Sequence, residues 1–344
     1  MRFLIVVAVA CLAFIGQLVS TRHHSSASEW IQYKKQHGKI YETPEEDAYR
    51  FSLFLAAKDK IESHNRNFSV SYKLGLNHLS DWSPEELSKL TGFQYNANED
   101  ESFETTSQSF MNDWFLQNIM AEQIPVGTWQ FDWRQRPGRV GRVKDQGRCA
   151  SGWAFATTGL LEGQQLARNR SASCLIPLSE QQLMDCSNSN DGCHGGRVSL
   201  ALDDIAQMGG IESELNYPYV AKRADKCNFN RSKSVMTDSG FVRVAVLDPD
   251  QLLKVVYHYG PVAVGIAATE NFLAYKSGVF DDSSSRKGAR NHAILIVGFG
   301  GGLDETPYWV AKNSFGDKWG EEGYIRVARG DGDCIDLLPI IPRF

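Results

Sequence analysis

The feature that most constrains the fold is a change in hydrophobic pattern along the chain. Residues 29 to about 90 are charged and helix-periodic, with Phe51, Phe54 and Ile61 on one helical face. A second helical pattern runs through SGWAFATTGLLEGQQLARN, whereas the C-terminal third holds the short β-branched or aromatic runs PVAVGIAA, HAILIVGFG, YWVAKNS and GYIRVARG. This order predicts an α+β fold in which a helical lobe precedes a lobe of antiparallel strands, with a cleft between them.

Composition excludes two classes of partner. The chain has 344 residues, of which 42% are hydrophobic and 22% charged, so it can bury a sizeable core. Its formal net charge of −5 provides no basic surface. We therefore expect neither nucleic acid nor an anionic membrane surface as a partner.

The first twenty residues have the pattern of a signal peptide. Arg2 precedes an apolar block that ends at Ile15, and small and polar residues follow up to Ser20. The block is shorter than the roughly 20 residues that a membrane-spanning helix needs, so no membrane span is predicted. We expect entry into the secretory pathway, with secretion or delivery to a lysosome- or endosome-type compartment. Three N-x-[ST] sequons, which predict a glycoprotein, fit such a location: Asn67, Asn169 and Asn230.

Residues 94–123 are acidic, polar and without clear periodicity, which predicts a linker and a domain boundary near Ile124. The chain has seven cysteines, and Cys11 lies in the signal segment. The remaining even number predicts a disulfide framework in an oxidising compartment. These six are Cys149, Cys174, Cys186, Cys193, Cys227 and Cys334.

Five ordered motifs resemble papain-family cysteine proteases of the cathepsin L type, from about Trp129 to the C-terminus. They are DQGRCASGWAF, LSEQQLMDCS, DGCHGG, NHAILIVGFG and YWVAKNSFGDKWGEEGYIRVARG. The resemblance implies a papain-like two-lobe peptidase domain over residues 124–344. It also implies, as the chain's own binding partner, an inhibitory propeptide over residues 21–123, with a helical inhibitor-type domain at about 29–90.

The upstream segment carries the two signatures of that propeptide, each with one departure. The first signature has Ala57 where an asparagine is usual, and the second has Leu79 where a phenylalanine is usual. The matching residues are Glu46, Arg50, Phe54, Ile61, Asn65, Gly75, Asn77 and Asp81. Without the family, Glu46 and Arg50 alone indicate an i,i+4 ion pair on a helix.

The resemblance assigns roles to the site residues. Gln146 matches the side-chain donor of the oxyanion hole, His292 the general acid and base, and Asn313 the group that orients it. Gly195 and Gly196 match the backbone that holds an extended substrate, although a Gly-Gly pair also suits a turn. Trp319 matches the family's second tryptophan, and the resemblance implies that it takes part in substrate binding. The family also implies the disulfides Cys149–Cys193 and Cys186–Cys227.

The position of the nucleophile is Gly152. A cysteine protease needs a thiol at this helix N-terminus, where the dipole and an imidazolium stabilise the thiolate. Glycine supplies no side chain, and Ser151 should point away from His292 because it lies about 100° around the helix. The motif match assigns Cys149 to a disulfide. The sequence therefore predicts loss of peptide hydrolysis.

Three further departures predict a relaxed site. Ala150 replaces a glycine beside the cleft and adds a methyl group where the substrate backbone passes. Phe315 replaces the tryptophan that usually shields the His and Asn pair from solvent. Cys334 matches half of a third family disulfide, but FDDSSSRKGARN contains no partner cysteine. The sequence leaves open whether Cys174 and Cys334 pair.

The resulting interpretation is a secreted pseudoprotease with a propeptide, whose cleft binds extended peptides, protease inhibitors or a partner protein. No cofactor or metal site is implied, because Cys186 and Cys193 are assigned to disulfides. Two alternatives stay open at this point. One is an active cysteine endopeptidase zymogen whose cysteine has been changed to Gly152, or in which another residue has taken over catalysis. The other is a secreted storage or structural protein.

Overall fold

The structure is a computed structural model that describes residues 26–93, 114–168, 174–244, 249–302, 305–330, 334–335 and 339–344. The predicted signal segment, the sequon at Asn169 and most of the predicted linker lie outside these ranges. No helix within them has the length and hydropathy needed to cross a bilayer.

The N-terminal part is mainly helical, as its periodicity predicts. Thr43 caps the long helix α2 by accepting a hydrogen bond from the backbone N–H of Glu46, and Pro44 occupies the first turn. Phe54 and Ile61 are the buried positions of this helix. The elements are α1 (26–37), α2 (Pro44–Asn65), β1 (Tyr72–Leu74) and α3 (Pro84–Ser88).

The second part begins with helices and ends with strands. Its first group comprises α4 (Trp114–Ala121), β2 (Phe131–Asp132), α5 (Gly152–Arg168), α6 (Glu180–Cys186), α7 (Val198–Met208), β3 (Ile211–Glu212), β4 (Ser234–Met236) and β5 (Phe241–Arg243). Its second group comprises α8 (Pro249–His258), β6 (Val262–Ile266), α9 (Glu270–Leu273), β7 (Tyr275–Phe280), α10 (Ser283–Lys287), β8 (His292–Gly300), β9 (Tyr308–Lys312), β10 (Tyr324–Ala328) and β11 (Ile340–Pro342). The predicted α+β class is confirmed.

One large sheet has the order β1-β7-β10-β9-β8-β6-β11-β5, with β2 paired to β8. Most neighbours are antiparallel, but β7 and β10 are parallel, so the expectation of purely antiparallel strands is wrong for this pair. The reason is the connection from β7 to β8, which crosses the sheet through α10. A crossover of this kind reverses the chain before it re-enters the sheet, so that the two strands run in the same direction.

Helix α4 corrects the linker prediction. The sequence analysis assigned residues 94–123 to a linker without periodicity, but residues 114–121 form a helix that packs on α8. Ile119 is buried there, and Lys254 Nζ donates to the carbonyl oxygen of Met120 at 2.7 Å. Packing of α4 against α8 therefore stabilises this helix. The polar residues on either side of it conceal the helical pattern in the sequence.

The N-terminal part and the β lobe share one hydrophobic core. Strand β1 adds to the edge of the large sheet by antiparallel pairing with β7. Leu74, Leu79 and Leu90 belong to the same buried cluster as Phe272 and Trp319 of the β lobe. A second cluster, centred on α5 and α7, fills the helical lobe. The propeptide-like segment is thus an integral layer of the fold.

Candidate active site

Helix α5 begins at Gly152, so the helix N-terminus lies where the family places its thiolate. Ser151, just before it, is fully buried, and its Oγ lies 2.6 Å from the hydroxyl of Tyr219. That hydroxyl in turn donates to the Gln146 carbonyl oxygen at 2.9 Å. Ser151 is therefore engaged on the side of the helix that faces Tyr219, and its oxygen is unavailable as a replacement nucleophile.

His292 and Asn313 form a hydrogen-bonded pair. His292 opens β8 and Asn313 follows β9, its neighbour in the sheet. His292 Nε2 lies 2.8 Å from Asn313 Oδ1. Because Oδ1 only accepts hydrogen bonds, Nε2 carries the proton of the neutral ring. The second nitrogen, Nδ1, is left as the basic atom on the side of Gly152.

Phe315 covers this pair closely. Its ring stacks on the imidazole of His292, with centroids 4.8 Å apart and planes inclined by 26°. Both side chains are 1% exposed. The expectation that the phenylalanine leaves a relaxed site is wrong for this cover, because stacking brings the smaller ring into direct contact with the histidine.

Burial lowers the pKa of His292 to about 4, and the hydrogen bond with Asn313 opposes this shift only in part. The imidazole is therefore neutral at neutral pH. In a working thiolate–imidazolium pair, the negative sulfur would stabilise the charged ring. Glycine at position 152 provides no such charge.

The space of the missing side chain is partly filled. A Cβ atom at position 152 would lie 2.6 Å from His292 Cε1, 2.9 Å from His292 Nδ1 and 3.2 Å from Gln146 Oε1. Real Cβ atoms do not approach ring atoms so closely. His292 therefore lies against the helix start, in a position that only glycine at residue 152 permits.

Gln146 is held beside this space by three hydrogen bonds. Its Nε2 donates to the carbonyl oxygen of Leu90 at 2.8 Å and to that of Cys149 at 2.7 Å. Its Oε1 accepts from the Ser314 hydroxyl at 2.7 Å. The structure thus brings Gln146, Gly152, His292 and Asn313 together, as the sequence predicts. Ser314 is a supporting residue that the sequence analysis missed, although it lies next to Asn313 in the KNS motif.

A segment of the chain's own N-terminal part occupies the cleft. The Gly196 N–H donates to the Gly92 carbonyl oxygen at 3.0 Å, and the Phe93 N–H donates to the Asn291 carbonyl oxygen at 2.9 Å. Gly195 has a φ of +118°, which favours glycine and lets the backbones approach closely. The Gly-Gly pair therefore binds an extended segment, here residues 90–93, through main-chain contacts.

Trp319 lies behind the site rather than along the bound segment. Its ring is fully buried against Phe315, Phe272 and Tyr275, and its Nε1 donates to the Leu273 carbonyl oxygen at 3.1 Å. The substrate-binding role of Trp319 stays a prediction. The residue supports Phe315, because the β-lobe core encloses the indole on every side.

Two disulfides join the pairs that the resemblance implies. Cys149 pairs with Cys193 and Cys186 with Cys227, with Cα atoms 4.7 Å and 4.8 Å apart. The first bridge fixes the segment before α5 to the loop that carries the Gly-Gly pair. Each cross-link restricts the unfolded chain and so stabilises the cleft wall.

The remaining two cysteines do not meet. Cys174 is exposed, whereas Cys334 is buried beside the hydroxyl of Ser285. Burial raises the pKa of the Cys334 thiol, which keeps it protonated and unreactive. Ser285 is thus a neighbour of the Cys334 thiol, a relation that only the folded chain makes visible.

A buried ion cluster lies behind the site and was not expected from the sequence. Lys144 Nζ donates to Glu162 at 2.9 Å and to Glu180 at 2.6 Å. Burial raises the pKa of Glu180 to about 7 in spite of this partner. The cluster fixes the segment that carries Gln146 to helices α5 and α6. In the described ranges, no three His, Cys, Asp or Glu side chains are grouped as metal ligands would be.

Comparison with known proteins decides the family. Residues 128–336 match the papain family cysteine protease domain, and residues 30–87 match the cathepsin propeptide inhibitor domain. The chain belongs to the papain family. Cathepsin L of Sarcophaga peregrina is 37% identical over 340 residues, covering 96% of this chain and 95% of that protein. A cathepsin L-like protein of Caenorhabditis elegans is 36% identical over 335 residues, covering 95% and 94%.

Solved precursors share the fold of this papain-family chain. The digestive procathepsin L 3 of Tenebrio molitor larval midgut aligns with a TM-score of 0.78 and 36% identity, covering 93% of this chain and 99% of that one. A recombinant stem bromelain precursor aligns with a TM-score of 0.77 and 28% identity over the same shares. The chain is therefore a cathepsin L-like papain-family homologue with its inhibitory propeptide in place.

Proposed function

We propose that this chain is a catalytically inactive papain-family protein that binds extended peptides or protease inhibitors in its cleft. Gly152 is the observation that carries the proposal, because the start of α5 offers no sulfur or oxygen to attack a peptide carbonyl. Loss of the nucleophile in subtilisin costs on the order of a millionfold in kcat. The oriented base at His292 cannot replace that contribution.

The surroundings of Gly152 support the same proposal. Ser151 is turned toward Tyr219, and Cys149 is held in a disulfide. The thiol of Cys334 is buried beside Ser285, in the core of the β lobe. None of these groups is presented to His292 as a free nucleophile.

Retention of the binding surface supports a role in recognition. Gln146 and Gly196 already hold an extended backbone, that of residues 90–93, by hydrogen bonds of 2.8 Å and 3.0 Å. Another extended peptide, or an inhibitor that inserts an extended segment, would meet the same donors. We infer that the protein acts as a binding partner, including as a decoy for protease inhibitors.

The alternative of an active endopeptidase is favoured by one observation, the intact hydrogen bond between His292 and Asn313. It requires a cysteine at position 152 in the functional protein. The alternative of a storage or structural protein leaves the retained cleft unexplained.

We propose the following domain boundaries and cellular location. Residues 1–20 form a signal peptide, 21–123 a propeptide and 124–344 the peptidase-like domain. The chain is secreted or delivered to a lysosome- or endosome-type compartment. Since the domain lacks a nucleophile, another protease has to remove the propeptide.

Hydrolysis of fluorogenic dipeptide amides tests the proposal. After removal of the propeptide, the wild-type protein should show no turnover above background, and a thiol-directed epoxide should not label it. The matched control is His292→Ala, which should behave identically. Turnover by the wild type that disappears in His292→Ala would overturn the proposal of inactivity.

A further inference from the structure

The cleft leaves no room for a side chain at the position of Gly92. A Cβ atom built on this residue would lie 2.6 Å from Ala150 Cβ, 2.9 Å from Gly195 Cα and 3.3 Å from the Ala150 carbonyl oxygen. The first distance is far below a normal carbon–carbon contact of about 3.5 to 4 Å. The methyl group of Ala150 is therefore the closest obstacle to any larger residue.

The wall that carries this methyl group is rigid. Ala150 follows Cys149, whose disulfide to Cys193 anchors it, and the Ala150 N–H donates to the Cys193 carbonyl oxygen at 3.2 Å. On the opposite side, the Gly195 carbonyl oxygen accepts from the Asp191 N–H at 2.9 Å. Both obstacles are backbone atoms or a Cβ fixed to the backbone, so neither can turn away as a long side chain would.

Two apolar residues flank this stretch, Leu90 two positions before Gly92 and Phe93 directly after it. Leu90 is 1% exposed in the core of the β lobe, and its carbonyl oxygen accepts from Gln146. Phe93 packs against the buried cluster of the helical lobe. The segment therefore bridges the two lobes through Leu90 and Phe93, with Thr91 and the side-chain-free Gly92 between them.

We propose that the cleft selects extended peptides with the pattern Leu-x-Gly-Phe, and that Ala150 is the residue that imposes glycine. This inference rests on the proposed function as a peptide-binding cleft and adds the class of ligand. The chain's own residues 90–93 satisfy the pattern in cis. A segment of another protein with the same pattern would bind in trans, in the same direction, through Gln146, Gly196 and Asn291.

The first test is a double-substitution cycle in the full-length chain, read by hydrogen exchange at the Gly196 amide. Gly92→Ala should accelerate this exchange about ten- to hundredfold, since overpacking a fixed wall expels the segment. Ala150→Gly in that background should restore about tenfold of the protection, because the 2.6 Å contact is gone. The control Thr91→Ala shortens a neighbouring side chain and should leave exchange unchanged.

The second test adds the ligand in trans. The receptor is full-length Gly92→Ala, and the probe is a fluorescein-labelled peptide with the sequence of residues 88–95, followed by fluorescence anisotropy. The same peptide with alanine in place of its glycine should bind at least about tenfold more weakly. That difference should become smaller on the Gly92→Ala, Ala150→Gly receptor, where only the backbone contact with Gly195 remains. Circular dichroism establishes that each receptor is folded.

The outcomes separate the two proposals. Equal binding of both peptides to the Gly92→Ala receptor would overturn the selection by Ala150 and leave the peptide-binding cleft standing. Absence of binding by either peptide, when exchange shows the own segment expelled, would overturn the proposed function and the inference with it. Unchanged exchange in Gly92→Ala would overturn the steric basis of the selection directly.

Discussion

At the scale of single residues, His292 and position 152 compete for the same volume. The imidazole lies so close to Gly152 that a Cβ there would be 2.6 Å from its Cε1. Phe315 stacks on the other face of the ring, and Asn313 fixes Nε2. The ring is therefore enclosed as a neutral group, and its protonation can be followed through the pH dependence of the free energy of unfolding.

The enclosed histidine should make stability depend on pH. Its pKa is about 4 in the folded chain and about 6.5 when unfolded, so only the unfolded chain binds the proton between these values. Burial of this ring therefore costs no protonation energy above pH 6.5. As the pH falls from 6.5 toward 4, the unfolded chain is favoured and the free energy of unfolding decreases. Between pH 7 and 4.5, the wild type should lose about 2 to 3 kcal/mol more than His292→Gln in urea unfolding.

A surface histidine provides the control for this measurement. His194 has a largely exposed side chain, so His194→Gln should lose stability with falling pH in parallel with the wild type. If His292→Gln followed the wild type as well, His292 would not be the enclosed neutral group described above.

A second residue-scale prediction concerns the unpaired thiol. Ser285→Cys should form a disulfide with Cys334, because the Ser285 hydroxyl already lies against that buried sulfur. In the chain-entropy model, closing this loop should raise the free energy of unfolding by about 3 to 4 kcal/mol. Non-reducing peptide mapping and urea unfolding with and without reductant measure both effects.

The adjacent hydroxyl is the matched control. Ser284 is exposed, so Ser284→Cys should leave Cys334 free and the stability within about 0.5 kcal/mol of the wild type. A free Cys334 in the oxidised, folded Ser285→Cys variant would show that residues 285 and 334 are not neighbours.

At the scale of elements, helix α2 does not fill its contact with the β lobe. A cavity of about 220 Å³ lies between them, lined mostly by apolar side chains and bordered by the ion pair of Lys60 with Glu270. Ala57 and Leu79, the two departures from the propeptide signatures, both line it. Two smaller residues thus leave one shared void at the propeptide interface.

Filling this void should stabilise the precursor. Leu79→Phe adds a ring directed at a cavity large enough to hold it, and should raise the free energy of unfolding by about 1 kcal/mol. Urea unfolding of the full-length chain measures the change. The control Leu215→Phe, at a position 90% exposed, should stay within about 0.5 kcal/mol. A destabilised Leu79→Phe variant would show that the cavity closes in solution.

At the scale of the whole molecule, the propeptide is both a layer of the fold and the occupant of the cleft. Strand β1 extends the main sheet, and residues 90–93 lie across the site between Gln146 and Gly196. On the proposed function, this chain keeps its cleft occupied until another protease cuts the propeptide or a ligand displaces it.

The sequence predicts those parts of this arrangement that depend on ordered motifs or periodicity. Helices α2 and α5 and the two lobes follow from such patterns, and the resemblance to the papain family implies the grouping of Gln146, His292 and Asn313. The position of His292 against Gly152, the stacking of Phe315 and the contact of Ser285 with Cys334 depend on packing between distant segments. Single-sequence patterns carry no information on these distances, and the apolar face of α4 was concealed by its polar flanks.

The central claim is that the nucleophile is the one catalytic group missing from the site, while the other catalytic residues remain in place. It is tested most directly by assaying the wild type and Gly152→Cys side by side, after removal of the propeptide, with a fluorogenic dipeptide amide. The new Cβ requires His292 to move away from its 2.6 Å contact, so activity should return only in part. We expect turnover at least about a hundredfold above the wild-type background, lost again in Gly152→Cys, His292→Ala.

Two companion variants show where the remaining activity is limited. Ala150→Gly, added to Gly152→Cys, should raise turnover further, because it removes a methyl group beside the bound backbone. Phe315→Trp should not raise turnover, because Phe315 already stacks on His292. The result that the account predicts is no hydrolysis by the wild type and His292-dependent hydrolysis by Gly152→Cys. Folded Gly152→Cys without any turnover, or wild-type turnover that requires His292, would contradict it.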